Sequence, residues 1–111
     1  MRGQDRRVET AEVGQRPVVE TRTVERRSMK GKSFRIKAEL LGGRIEAVVL
    51  TGDFFLEPEE SIYRLESALT EAAAASGYDE ARALIRASLG SAKLTGIAVE
   101  DLADAVLEVR R

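Results

Sequence analysis

Residues 32–52 read KSFRIKAELLGGRIEAVVLTG, and their spacing sets the class of the molecule. Phe34, Ile36, Ala38 and Leu40 alternate with Arg35, Lys37 and Glu39, the period-two pattern of a strand with one buried face. Gly42-Gly43 follows, a dipeptide suited to the positive φ angles of a tight hairpin turn. The return strand, Arg44 to Thr51, places Ile45, Ala47 and Val49 on one side and Val48 and Leu50 on the other. Apolar residues on both sides predict that it is covered on both faces.

C-terminal to this hairpin the period changes to that of helices. The first is expected to begin near Pro58, suited to the first helical position, with Glu59 and Glu60 favourable to the helix dipole. Ile62, Leu65, Leu69 and Ala72 or Ala73 form its apolar stripe, and Gly77 is its expected stop. A second helix, capped by Asp79, points Ala81, Leu84, Ile85 and Leu89 inward and stops at Gly90. A third runs from about Val99 to Val109, with Leu102, Ala103 and Val106 inward. Its cap position falls on Ala98, where Ser, Thr or Asp would be stronger by roughly 1 kcal/mol. Strands followed by helices predict an α+β fold: a small antiparallel sheet, the hairpin at about 33–51 plus a further strand, with about three helices packed on it. An isolated hairpin is marginal in water. The further strand must come from the N-terminal segment, from residues 91–97 or from another chain.

Residues 1–27 read as a basic arm preceding a folded unit at 28–111. Their only bulky apolar side chains after Met1 are valines, and PVVETRTVE (17–25) has enough β-propensity to pair as an edge strand. Without a partner sheet this segment is expected to be mobile. Residues 1–37 hold eleven Lys/Arg against five acids, whereas 38–111 hold seven against fourteen. A basic arm on an acidic domain is the reading.

The chain of 111 residues suits one domain, and its 43% hydrophobic content suits a folded one. With no cysteine there is no disulfide or thiolate metal site, and with no histidine neither a Ser-His-Asp nor a Cys-His mechanism can be assembled. LGSAKLTG (89–96) lacks P-loop spacing. No catalytic residue and no metal site is assigned. With no apolar run of membrane-spanning length and no signal-like leader, a cytoplasmic location is expected.

LTGDFFLEPEES, residues 50–61, holds two of the three phenylalanines side by side. Gly52 permits a sharp exit from the strand, and Asp53 can bond to backbone amides of the turn. Consecutive side chains of an extended segment point in opposite directions. One ring, Phe54 or Phe55, can therefore enter the core, while the other needs different cover: a helix, a loop or a partner.

With those residues in view, the chain from about Met29 to Arg111 closely resembles the C-terminal accessory domain of lipoate–protein ligase A. That domain is fused to the catalytic domain in some bacteria and is a separate small polypeptide in some archaea. The Gly-Asp-Phe-Phe-Leu-x-Pro-Glu-Glu run at 52–60 carries the likeness, supported by Gly31-Lys32 and by Gly-Ile-x-x-Glu-Asp-Leu at 96–102. Ala98-Val99 departs from the Ser/Thr-Pro that often precedes Glu-Asp there, which weakens a helix cap. The resemblance implies an accessory subunit of a bipartite ligase that binds no cofactor alone. A separate catalytic chain would use ATP, Mg2+ and lipoate to form lipoyl-adenylate, then pass the lipoyl group to a lysine of a lipoyl-domain protein. It also implies a heterodimer with that chain, with Gly52, Asp53, Phe54 and Phe55 as partner-binding residues. Lys30 and Lys32 would contact a phosphate or an acidic partner surface.

Two other readings compete. A generic protein-interaction module would have no ligase partner. Nucleic-acid binding through the basic arm is disfavoured because the arm has no aromatic residue for stacking and the rest of the chain is acidic. Glu59, Glu60, Glu66 and Glu71 read as a solvated helix face.

Overall fold

Phe34, Ile36, Ala38 and Leu40 form the buried face of the central strand, with every intervening residue exposed. The computed structural model describes residues 19–110. In chain order the elements are β1 (Val19–Arg27), β2 (Ser33–Leu41), β3 (Arg44–Gly52), β4 (Phe55–Glu57), α1 (Ser61–Ala72), α2 (Tyr78–Leu89), β5 (Lys93–Thr95) and α3 (Val99–Val109). Strands β1, β2 and β3 make an antiparallel sheet in that order, and β4 pairs with β5 in a separate ribbon. The α+β class and the hairpin at 33–51 are as the sequence predicts.

Strand β3 departs from the expected alternation. The register passes from Glu39↔Ala47 to Leu40↔Ile45, so Glu46 is the extra residue of a β-bulge. The bulge switches the facing of everything after it. Ile45, Val48 and Leu50 consequently all turn toward the core, and Val49 is left 41% exposed. The strand is covered on one face, not two.

The further strand comes from the N-terminal segment, one of the three sources left open. Residues 19–27, read as the end of an arm, pair along their full length with β2, from Val19↔Leu41 to Arg27↔Ser33. Val24 packs on the core. Arg26 reaches across to Asp104 (2.8 Å) and Glu108 of α3, and Arg22 reaches the carbonyl of Val109 (3.3 Å). The rest of the arm, residues 1–18, lies outside the described residues.

The helices lie on the buried face, and Leu65, Leu69, Ile85, Leu102 and Val106 join the sheet residues in one core. Helix α3 has the expected bounds. Helix α1 begins at Ser61, not Pro58, because Pro58 to Glu60 form a tighter turn. The amides of Ser61, Ile62 and Tyr63 donate there to the carbonyls of Pro58, Glu59 and Glu60 at 3.0, 3.1 and 3.3 Å. Glu59 and Glu60 thus stand ahead of the helix. Helix α1 also ends early, at Ala72, where Arg110 donates to the carbonyls of Ala73 (2.9 Å) and Ala75 (2.6 Å).

Gly77, expected as the stop of α1, is instead the residue before α2. Asp79, expected as a cap, sits in the first turn of α2. Glu80, also in that turn, ties the helix to the residues before it: its carboxylate accepts from Ser76 N–H (2.9 Å) and Ser76 Oγ–H (2.7 Å), and no side chain caps α2. Those bonds hold the Glu80 carboxyl below its ordinary pKa, the backbone bond most of all.

Candidate functional site

The phenylalanine turn is built by a close approach of β3 to the start of β2. Gly52 has φ +154°, and a Cβ placed there would lie 2.5 Å from Ser33 O and 2.8 Å from Phe34 Cα. Only glycine lets the strand end run this near its neighbour. The backbone amide of Asp53 ties the turn down, donating to Ser33 O at 3.1 Å, while its side chain stands exposed. The tie expected of the Asp53 side chain is thus made by its main chain.

The three residues after Asp53 alternate as an extended segment requires. Phe54 packs on the core, Phe55 points out at 71% exposure, and Leu56 is buried. Pairing of Phe55↔Thr95, Leu56↔Leu94 and Glu57↔Lys93 fixes this register. The Phe55 ring is therefore presented from a hydrogen-bonded strand and stays uncovered among the described residues.

Lys32 is brought to the same end of the molecule. Its amide donates to Gly96 O at 3.1 Å. A Cβ at Gly96 would meet Lys32 Cγ at 2.8 Å and Phe54 Cα at 3.6 Å, so glycine there leaves room for the lysine stem beside the turn. Lys30 stands apart, exposed in the middle of the turn between β1 and β2, with its amide donating to Ser28 Oγ at 3.1 Å. That turn is pinned, because Ser28, only 4% exposed, also bonds to Asp101 of α3 and to Ala98 just before it.

Around the turn lie two open grooves. One, of about 510 Å³, runs along the sheet between Glu25, Arg27, Arg35, Thr51 and Asp53. Its charges are mutually compensated in part, with Arg35 paired to Glu25 at 2.6 Å and Arg27 donating to Gly31 O at 2.9 Å. The other, of about 440 Å³, is lined by Phe54, Phe55, Glu57, Glu59 and Ile62. Sequence reasoning missed Tyr63, which is 72% exposed on the neighbouring turn of α1. The available signal was an aromatic lying off the Ile62, Leu65, Leu69 stripe. It also missed Ser28, whose role depends on residues some seventy positions away.

Among the described residues no three His, Cys, Asp or Glu side chains cluster at metal-binding spacing, and no helix is long and apolar enough to cross a membrane. The residues at 89–96 form the end of α2, a turn and β5. What the turn presents is an exposed ring on a paired strand, with Lys32 at the same end of the molecule.

No family model and no curated protein matches the chain. One solved structure does, with a TM-score of 0.55 and 26% sequence identity over 81% of this chain and 96% of the other. It belongs to an archaeal lipoylation system from Thermoplasma acidophilum, described as a bi-partite lipoate protein ligase and its E2 lipoyl domain.

Proposed function

We propose that this protein is the accessory subunit of a two-chain lipoate–protein ligase. Similarity over nearly the whole length of a chain from a bi-partite lipoate ligase system carries this reading. The site geometry supports it: an exposed Phe55 on a braced turn suits docking, and the chain has no histidine or cysteine with which to build a nucleophilic site of its own.

In this reading the separate catalytic chain holds ATP, Mg2+ and lipoate. The lipoate carboxylate attacks the α-phosphorus of ATP and pyrophosphate leaves. A lysine amine of a lipoyl-domain protein then attacks the acyl carbon, and AMP leaves. The accessory chain supplies neither nucleophile nor base. It docks beside the catalytic site and favours the loop arrangement in which water is excluded and adenylation proceeds. Phe55 makes the contact from the turn that Gly52, Asp53 and Phe54 shape, and Lys32, with Lys30 nearby, faces an anionic group outside it.

Lipoate-dependent exchange of pyrophosphate into ATP tests this directly. A candidate catalytic chain from the same organism is assayed with and without this protein. Exchange that appears only with both chains is the expected result. Equal exchange by the catalytic chain alone would overturn the reading in favour of a general interaction module.

A further inference from the structure

We infer that the face formed by β4, the start of α1 and the outer edge of β3 seats on a basic surface of the catalytic chain, with Phe55 and Tyr63 as its two apolar anchors. This rests on the proposed function and specifies which surface, and which partner chemistry, that function uses.

The face is continuous. The groove beside Phe55 runs past Glu59 and Ile62 to a depression lined by Glu59, Glu60, Ile62 and Tyr63. Beyond Tyr63 it meets a third hollow edged by Glu46, Val48, Glu66 and Thr70. Not one lysine or arginine lines any of the three. Glu57, Glu59 and Glu60 are exposed and take part in no ion pair among the described residues.

The aromatic side chains stand in the middle of this charge, Phe55 at 71% and Tyr63 at 72% exposure. Exposed apolar rings inside a polar rim have the anatomy of an interface core. The mode of contact is through side chains. Two amides at the middle of the β3 edge are already taken, Val48 N–H by Thr70 Oγ1 at 3.1 Å and Leu50 N–H by Glu66 at 2.9 Å, which disfavours adding a strand there.

Charge decides the occupant. A second copy of this chain meeting the face about a two-fold axis would set its glutamates against themselves, a repulsive arrangement. A partner with lysines or arginines around two apolar pockets would satisfy both the rings and the carboxylates.

Titration calorimetry with the catalytic chain tests the inference. Wild type is compared with Phe55→Ala, Tyr63→Ala, the pair Glu59→Lys with Glu60→Lys, and Val49→Ser on the open sheet face. Each aromatic truncation should weaken binding by about tenfold or more. The double charge reversal should weaken it and flatten its dependence on salt. Val49→Ser should bind as wild type.

If every variant binds as wild type while the exchange reaction still needs both chains, the face is wrong and the proposed function stands. If wild type neither binds the catalytic chain nor activates exchange, both fail. Sedimentation showing a homodimer that Phe55→Ala dissolves would give the face to a second copy and overturn the inference.

Discussion

Ser28 Oγ donates a 2.7 Å hydrogen bond to Asp101 Oδ2, joining the β1–β2 turn to the first turn of α3. The same hydroxyl accepts from the amides of Ala98 (3.0 Å) and Lys30 (3.1 Å), while Asp101 also accepts from Met29 N–H (3.1 Å). One donor and two acceptor sites are thereby filled, the full capacity of a serine hydroxyl. Helix α3 begins behind Ala98, with no capping side chain, and its start is held to another part of the chain through Ala98 N–H and Asp101.

Ser28→Ala should therefore destabilise the protein by about 1–3 kcal/mol, since it leaves the buried Ala98 amide without its acceptor. Thermal unfolding would show it as a drop of several degrees, roughly 4–8 °C per kcal/mol for a domain of this size. An unchanged midpoint would mean that α3 starts without help from the turn.

The two phenylalanines should separate stability from binding. Phe54→Ala removes a ring packed on the core and should cost about 1–3 kcal/mol, below the usual value for a fully buried Phe. Phe55→Ala removes an exposed ring and should leave the isolated chain within about 0.5 kcal/mol of wild type. Denaturant titration of the two variants side by side decides it, and equal losses would contradict the alternation seen at 54–56.

Gly52→Ala should be the most damaging of the glycine-to-alanine changes. The added Cβ meets backbone at 2.5 Å and 2.8 Å, whereas at Gly43 it meets nothing within 4 Å. Gly43→Ala then costs only the strain of positive φ, about 1 kcal/mol, and Gly52→Ala at least about twice that, because backbone must shift. Comparable unfolding midpoints for the two would show that β2 and β3 separate easily at this end.

Glu80 should make stability sensitive to acid. Its carboxyl is held below its ordinary pKa by Ser76, so the ionised form is favoured in the folded state. The contribution is present above the unfolded-state pKa of a glutamate and is lost as pH falls through the depressed folded value. Glu80→Gln should be less stable than wild type at neutral pH, with the difference shrinking to nothing in acid. A gap between the two that stays constant with pH would rule out the carboxylate as its source.

The geometry of the phenylalanine turn was legible in the sequence because its parts are local. Gly52, Asp53, Phe54 and Phe55 are consecutive, and opposite facing of neighbours in an extended segment separates the two rings. Tyr63 escaped notice because its place on a groove continuous with that of Phe55 follows from the turn at 58–60, which delays the start of α1. The Glu46 bulge was hidden for a similar reason. Ile45, Ala47 and Val49 look like one face until pairing with β2 shows which of them turns inward.

The sequence by itself determined the hairpin, the three helices and the absence of histidine and cysteine chemistry. Periodicity and composition act through neighbours along the chain, where a few residues suffice to settle a conformation. Tertiary structure alone decided that residues 19–27 complete the sheet, that Ser28 ties the β1–β2 turn to the start of α3, and that Thr70 and Glu66 take up two edge amides of β3. Those outcomes turn on hydrogen bonds between groups far apart in sequence, whose partners exist only once the core has brought the elements together.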